Sequence, residues 1–162
     1  MSARILAAAV AASFLALPAL AEIEVHDAYA ITARPGAPTG AAFMVIHNHG
    51  GPDDHLLSVS SPVAELVELH THVMDANGVA QMTAVPEGWD IPTDGELLLQ
   101  RGAEHVMFMG ITTPFEDGTT IPLTLHFEVA GDVTIEVPVD LSRLGGEDGM
   151  QMDMDDHSAH GG

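Results

Sequence analysis

The sequence predicts an all-β domain, folded as an antiparallel sandwich or barrel. Three observations lead to this prediction. Apolar and polar residues alternate over short runs, no segment sustains a 3.6-residue apolar period, and Gly, Pro or Asn interrupts the chain at short intervals. Alternation with a period of two is typical of strands with one buried face. Many short strands at this spacing are typical of sandwiches and barrels.

The first 21 residues predict a secretory signal peptide. Arg4 precedes a nearly uninterrupted apolar run from Ile5 to Leu17, and Ala19-Leu20-Ala21 forms a small-x-small cleavage motif. The run is too short for a stable membrane anchor, and no later run approaches the roughly 20 residues that a membrane helix needs. We therefore expect a mature chain that begins at Glu22, is exported to the periplasm and does not insert into a membrane.

The predicted strands follow one another from the new N-terminus. Asp75 to Gly78 is a predicted hairpin turn, because Asn-Gly tolerates the positive φ of tight hairpins. Residues 86–95, which carry Trp89, are predicted as a loop. The strands are expected at 23–31, 41–48, 55–60, 63–74, 79–85, 96–99, 103–109, 123–129 and 133–139.

The composition changes at Gly145, and the chain from there to Gly162 consists mainly of Gly, Asp, Met and His. Such a segment cannot bury enough apolar surface to order itself. The predicted domain organisation is therefore a signal peptide at 1–21, one β-domain at 22–144 and a disordered acidic tail at 145–162.

The charge of the chain is strongly acidic. The sequence has 4 basic and 24 acidic residues, a net charge of −20, and loss of Arg4 with the signal leaves 3 − 24 = −21. Nucleic acid and anionic lipid would be repelled by this surface. Such acidity favours solubility in a salty medium and is compatible with attraction of cations. There is no cysteine, so any metal site must use other donors.

Soft metal donors are concentrated on two predicted strands and a hairpin. Residues two apart on a strand point the same way, so each strand places three donors on one face: His70, His72 and Met74 on the first, and His105, Met107 and Met109 on the second. Met82 returns from the hairpin turn close to Met74 or His72. A single Met on a strand is usually core filler, and the combined pattern is what indicates a site.

The donor types indicate copper(I). A thioether is a soft, neutral ligand that suits copper(I) and is a poor ligand for zinc, calcium or magnesium. Imidazole binds copper in both oxidation states. Two thioethers and two imidazoles carry no charge, so a monovalent ion would keep a net charge of +1 in the site. A blue-copper electron-transfer site is disfavoured because it requires a cysteine.

With this pattern the chain resembles the periplasmic PCuAC copper chaperones. Their motif is a His, ten residues, a Met, about twenty-one residues and then His-x-Met. The resemblance covers residues 23–139 and includes Val67 to His70, Met82, Glu104 to Gly110 and Ile121 to Leu125. It implies a cupredoxin-like β-sandwich and four copper ligands: His70, Met82, His105 and Met107. It also implies delivery of copper to the dinuclear centre of cytochrome c oxidase subunit II, often beside a Sco-type chaperone.

The spacing departs from that motif by one residue in each interval. Eleven residues separate His70 from Met82, and twenty-two separate Met82 from His105. The first departure is consistent with one extra residue in the Asp75–Gly78 turn, where insertion costs little. A register in which His72 replaces His70 as the first ligand therefore stays open.

Further donors lie outside these strands. The tail carries Met150, Met152, Met154, His157 and His160 among aspartates, which predicts a flexible metal-capture arm for copper(I) or copper(II), or alternatively a solvated acidic extension. The remaining histidines are assigned to structure or surface, although His47-Asn48-His49 beside a glycine loop could bind metal. This set is His26, His47, His49, His55 and His126.

The functional prediction is a metallochaperone rather than an enzyme. The sequence contains no nucleophile motif, phosphate-binding glycine loop or recognisable catalytic carboxylate pair. The alternatives are a periplasmic protein that stores or sequesters copper, which the tail favours, and a structural β-domain with no copper affinity.

Overall fold

The computed structural model describes residues 22–145, which form ten strands and one 3-10 turn. The predicted signal peptide and all of the predicted tail beyond Gly145 lie outside these residues. The elements are β1 (Glu22–Ile31), β2 (Thr39–His49), β3 (Asp54–Ser60), β4 (Ala64–Met74), β5 (Ala80–Ala84), β6 (Trp89–Ile91), β7 (Glu96–Leu99), β8 (His105–Ile111), β9 (Thr120–Phe127), β10 (Asp132–Pro138) and the 3-10 turn Leu141–Gly145.

The strands form two antiparallel sheets. The larger sheet has the order β1-β2-β8-β4-β5, with β7 also paired to β2. The first residues of β2 pair with β8 and its last residues pair with β7, so two short strands share one side of β2. The smaller sheet has the order β10-β9-β3-β6. This arrangement places β5, β4 and β8 side by side, which positions the predicted donors.

The core consists of the inward faces of both sheets, as strand alternation predicts. Met44 and Ile46 of β2 and Phe108 of β8 are fully buried, together with Leu123 and Leu125 of β9. Alternate residues on β2 and β8 therefore face away from this core. The predicted donors on β8, His105, Met107 and Met109, are among them.

Two buried polar side chains fasten loops to the sandwich. Nδ2 of Asn48 donates to the carbonyl oxygens of Pro52 and Ile91 at 2.8 and 3.1 Å. The carboxylate of Asp54 accepts from the backbone N–H groups of Val129 and Ala130, each at 2.9 Å. Asn48 and Asp54 thus pair with backbone groups of two loops and of the end of β6.

The predicted all-β, antiparallel fold is confirmed, and so is the hairpin turn, where Gly78 has a φ of 79° and its N–H donates to the Asp75 carbonyl. One local prediction is wrong. Residues 86–95 are not all loop, because Trp89–Ile91 pair with β3 and Ile91 is fully buried. Pro and Gly on both sides concealed this three-residue strand in the sequence.

In the described part of the chain, no helix has the length and apolar character needed to cross a membrane.

Candidate metal centre

The predicted donors lie on three adjacent strands of the larger sheet, and the strand register determines which of them meet. His72 on β4 is directly opposite Met82 on β5. His70 on β4 is opposite His105 on β8, and Met107 follows two residues later on the same face of β8. Residues directly opposite on antiparallel strands have Cβ atoms about 4.5–5.5 Å apart, so their side chains can bind the same metal ion.

A cavity of about 340 Å³ opens on this face of the sheet. Four of the donors line it: His72, Met82, His105 and Met107. Phe43 of β2 and Leu144 of the 3-10 turn form part of its wall. The structure therefore brings two imidazoles and two thioethers from three strands to one concave surface.

His105 is held in the protonation state that a metal requires. The residue is only 3% exposed, and its Nδ1 lies 2.9 Å from the carbonyl oxygen of Ala103, which can only accept. Nδ1 therefore carries the proton in the neutral ring. Burial lowers the pKa of His105, and the neighbouring His72 and His70 rings lower it further. The neutral ring is thus favoured, and its Nε2 keeps a free lone pair.

His70 and His72 occupy different positions relative to the cavity. The His72 and His70 rings lie 5.4 and 5.9 Å from the His105 ring, respectively, between centroids. His72 lines the cavity, whereas His70 is not among its lining residues. Nε2 of His70 lies 3.2 Å from a carboxylate oxygen of Glu68, and its buried Nδ1 has no hydrogen-bond partner. The cavity lining therefore includes His72 and not His70, whereas the unpartnered Nδ1 of His70 leaves that ring with a nitrogen not engaged by the protein.

The two cavity thioethers differ from the other methionines of these strands. Met82 is 55% exposed and stands at the mouth of the cavity, while Met107 is partly buried. Met74 is 69% exposed at the end of β4, and neither it nor Met109 lines the cavity. An exposed thioether at the mouth is accessible to an incoming molecule.

With the side chains in their present positions, residues 22–145 contain no group of three or more His, Asp or Glu side chains arranged to hold a metal ion. The cavity itself offers two imidazoles and two thioethers as donors. The predicted tail donors Met150, Met152, Met154, His157 and His160 lie outside the described residues.

Sequence reasoning did not identify Phe43 or Leu144 as cavity residues. Phe43 comes to the cavity through the pairing of β2 with β8, and Leu144 comes to it through the return of the chain after β10. No local pattern in the sequence indicates that either residue lines a cavity, because a phenylalanine in a strand is equally compatible with a position in the core.

Residues 23–139 match the family described as "Putative lipoprotein LpqE-like". The curated protein "Putative lipoprotein Lxx21020" of Leifsonia xyli subsp. xyli is 33% identical over 104 residues, which are 64% of this chain. The match spans 62% of the length of that relative.

Solved structures share the fold. A copper-bound PCuAC domain from PmoF2 has a TM-score of 0.61 at 22% identity, over 76% of this chain and 96% of that domain. Copper(I)-bound DR1885 from Deinococcus radiodurans has a TM-score of 0.54 at 29% identity, over 78% of this chain and 81% of its own. Apo-DR1885 has a TM-score of 0.57 at 28% identity, over 87% and 94%.

Proposed function

The chain belongs to the LpqE-like family, and from that premise we propose that it is a copper(I) chaperone that works outside the cytoplasm. The observation that carries the proposal is the cavity lined by His72, Met82, His105 and Met107. The structural relatives named copper-bound PmoF2 and copper(I)-DR1885 have the same fold, which supports copper as the cargo.

The donor chemistry favours copper(I) over other ions. Two thioethers and two neutral imidazoles match a soft monovalent cation, because hard divalent ions prefer oxygen ligands and zinc prefers thiolate, imidazole and carboxylate. The lowered pKa of His105 reduces competition from protons at that nitrogen. The proposed ligand set is His72, Met82, His105 and Met107, with His70 beside it.

The open cavity favours transfer over permanent storage. Met82 is more than half exposed, so an acceptor ligand could replace its sulfur without unfolding of the sheet. The chain would change no substrate chemically. It would hold one ion and release it by ligand exchange. We propose the dinuclear copper centre of cytochrome c oxidase subunit II as the acceptor, with a Sco-type chaperone acting alongside.

Storage of copper is the second candidate, and one observation favours it. Leu144 lines the cavity, and the segment rich in Met and His follows it directly in the sequence. A chain that bound several ions through this segment and released none would be a sequestering protein.

Copper stoichiometry and transfer distinguish these functions. The tail-silenced chain is the full-length chain in which the tail donors are replaced: M150L, M152L, M154L, H157A and H160A. We expect it to bind one copper(I), to reject zinc, and to pass the ion to a soluble fragment of oxidase subunit II. Copper measured in each protein after separation provides the readout. A cavity that binds no copper(I) would refute the proposal, and several ions on the intact chain without transfer would favour storage.

A further inference from the structure

A second group of metal-binding side chains lies outside the cavity, on β1 and β2. The β1–β2 histidine cluster consists of Glu24 and His26 on β1 and His47 and His49 on β2. The register pairs Glu24 with His47, and strand alternation places all four side chains on one face. None of them lines the copper cavity.

The cluster and the cavity share the same face of the larger sheet. Phe43 lines the cavity, and His47 follows it on the same face four residues along β2. At about 3.4 Å per residue, this separation is roughly 14 Å along the strand. One ion cannot bridge this distance, so the cluster would be an independent site.

Donor atoms of the cluster already lie within ion-pairing distance of one another, which is also the spacing that an ion bound between them would need. Nε2 of His26 and Nε2 of His49 lie 3.1 and 3.4 Å from the same carboxylate oxygen, Oε2 of Glu24. Two ligands that are each about 2.0–2.1 Å from a tetrahedral ion are about 3.3 Å apart. The His47 ring lies between the others, 5.2 Å from that of His26 and 5.5 Å from that of His49.

The donors differ in kind from those of the cavity. Imidazole nitrogen and carboxylate oxygen suit borderline divalent ions, and copper(II) binds such sites more tightly than its neighbours in the first row. Glu96 adds negative charge, since its carboxylate lies 3.7 Å from Nε2 of His47. The side chains of His26 and His49 are about half exposed. No three of these side chains are yet arranged to hold an ion, and because His26 and His49 are exposed, their rings can turn to complete the site when an ion binds.

We propose that Glu24, His26 and His49, with His47 beside them, form a second site that takes a divalent transition-metal ion and prefers copper(II). The site does not depend on the proposed function, because it shares no donor with the cavity. The competing explanation is that the histidines, when protonated, only form ion pairs with Glu24 and Glu96.

The test is a copper(II) titration of the tail-silenced chain, followed by electron paramagnetic resonance and by competition with a chelator of known affinity. The H26A/H49A variant is compared with H126A. His126 is the matched control, because it is also a surface histidine beside a carboxylate, 2.7 Å from Asp132, but lies on the other sheet.

We expect one copper(II) with nitrogen and oxygen ligands, and a loss of at least about tenfold in affinity for H26A/H49A with no change for H126A. Copper(I) affinity of the cavity should be equal in all three proteins, which separates this proposal from the proposed function. Equal copper(II) affinity in H26A/H49A, an equal loss in H126A, or no copper(II) binding at all would overturn it.

Discussion

Replacement of Met82 by leucine should weaken copper(I) binding while leaving the fold intact. The substitution removes the sulfur and keeps nearly the same apolar volume. Met82 lies opposite His72 and lines the cavity, so the lost atom is one of four proposed ligands. Met74 provides a matched control, since it is an exposed methionine of the same β4–β5 hairpin that does not line the cavity.

The expected magnitudes follow from exposure and from ligand number. Because Met82 is 55% exposed, M82L should change the free energy of unfolding by no more than about 0.5 kcal/mol. Loss of one ligand should lower copper(I) affinity at least about tenfold, which is about 1.4 kcal/mol of binding free energy. M74L should change neither quantity.

The assay is anaerobic competition for copper(I) against a chromophoric chelator, with the tail-silenced chain as background. Denaturant unfolding of each apo protein measures the change in stability. The background removes the tail thioethers, so the difference between M82L and M74L reports on the cavity alone.

Equal copper(I) affinities for M82L and M74L would refute the assignment of Met82 as a ligand. A large loss of stability in M82L would show instead that the side chain supports the fold, in contradiction to its exposure.

Three further predictions concern other parts of the molecule. H72A should lower copper(I) affinity more than H70A in the same competition assay, and the reverse order would assign the first ligand to His70. D54A should lower the free energy of unfolding by about 3–5 kcal/mol in denaturant titration, because a buried carboxylate that accepts three backbone N–H groups is lost; a loss below about 1 kcal/mol would contradict this account. Hydrogen bonds to Asp90 and to a backbone carbonyl raise the pKa of His55, so this pair stabilises the fold below the unfolded pKa of about 6.5 and the contribution is lost as pH rises through the folded pKa. D90N should therefore lower the melting temperature more near about pH 5.5 than near about pH 8.5, and an equal or opposite difference would contradict the assignment.

Much of the fold could be predicted because strand alternation is a local signal. The clean alternation of β9 and β10 and the Asn77-Gly78 turn identified strands and a hairpin that the structure confirms. The resemblance to PCuAC proteins is also confirmed, by the family match and by the solved structures. The sequence did not predict β6, because three residues between Gly88 and Pro92 are too few to show the alternation of apolar and polar residues that marks a strand.

The site could be predicted only in part from the sequence. Alternation identified which donors share a face, but the choice between His70 and His72 depends on the register of β4 against β5 and β8. Register is set by cross-strand packing and not by spacing along the chain. For the same reason the sequence indicated His47 and His49 weakly and did not connect them to Glu24 and His26.

The most direct test of the central claim is X-ray absorption at the copper edge of the tail-silenced chain loaded with one equivalent of copper(I). It counts the sulfur and nitrogen neighbours of the ion. We expect two thioether sulfurs, from Met82 and Met107, together with imidazole nitrogen. A shell of nitrogen and oxygen without sulfur, or of sulfur without nitrogen, would contradict this expectation.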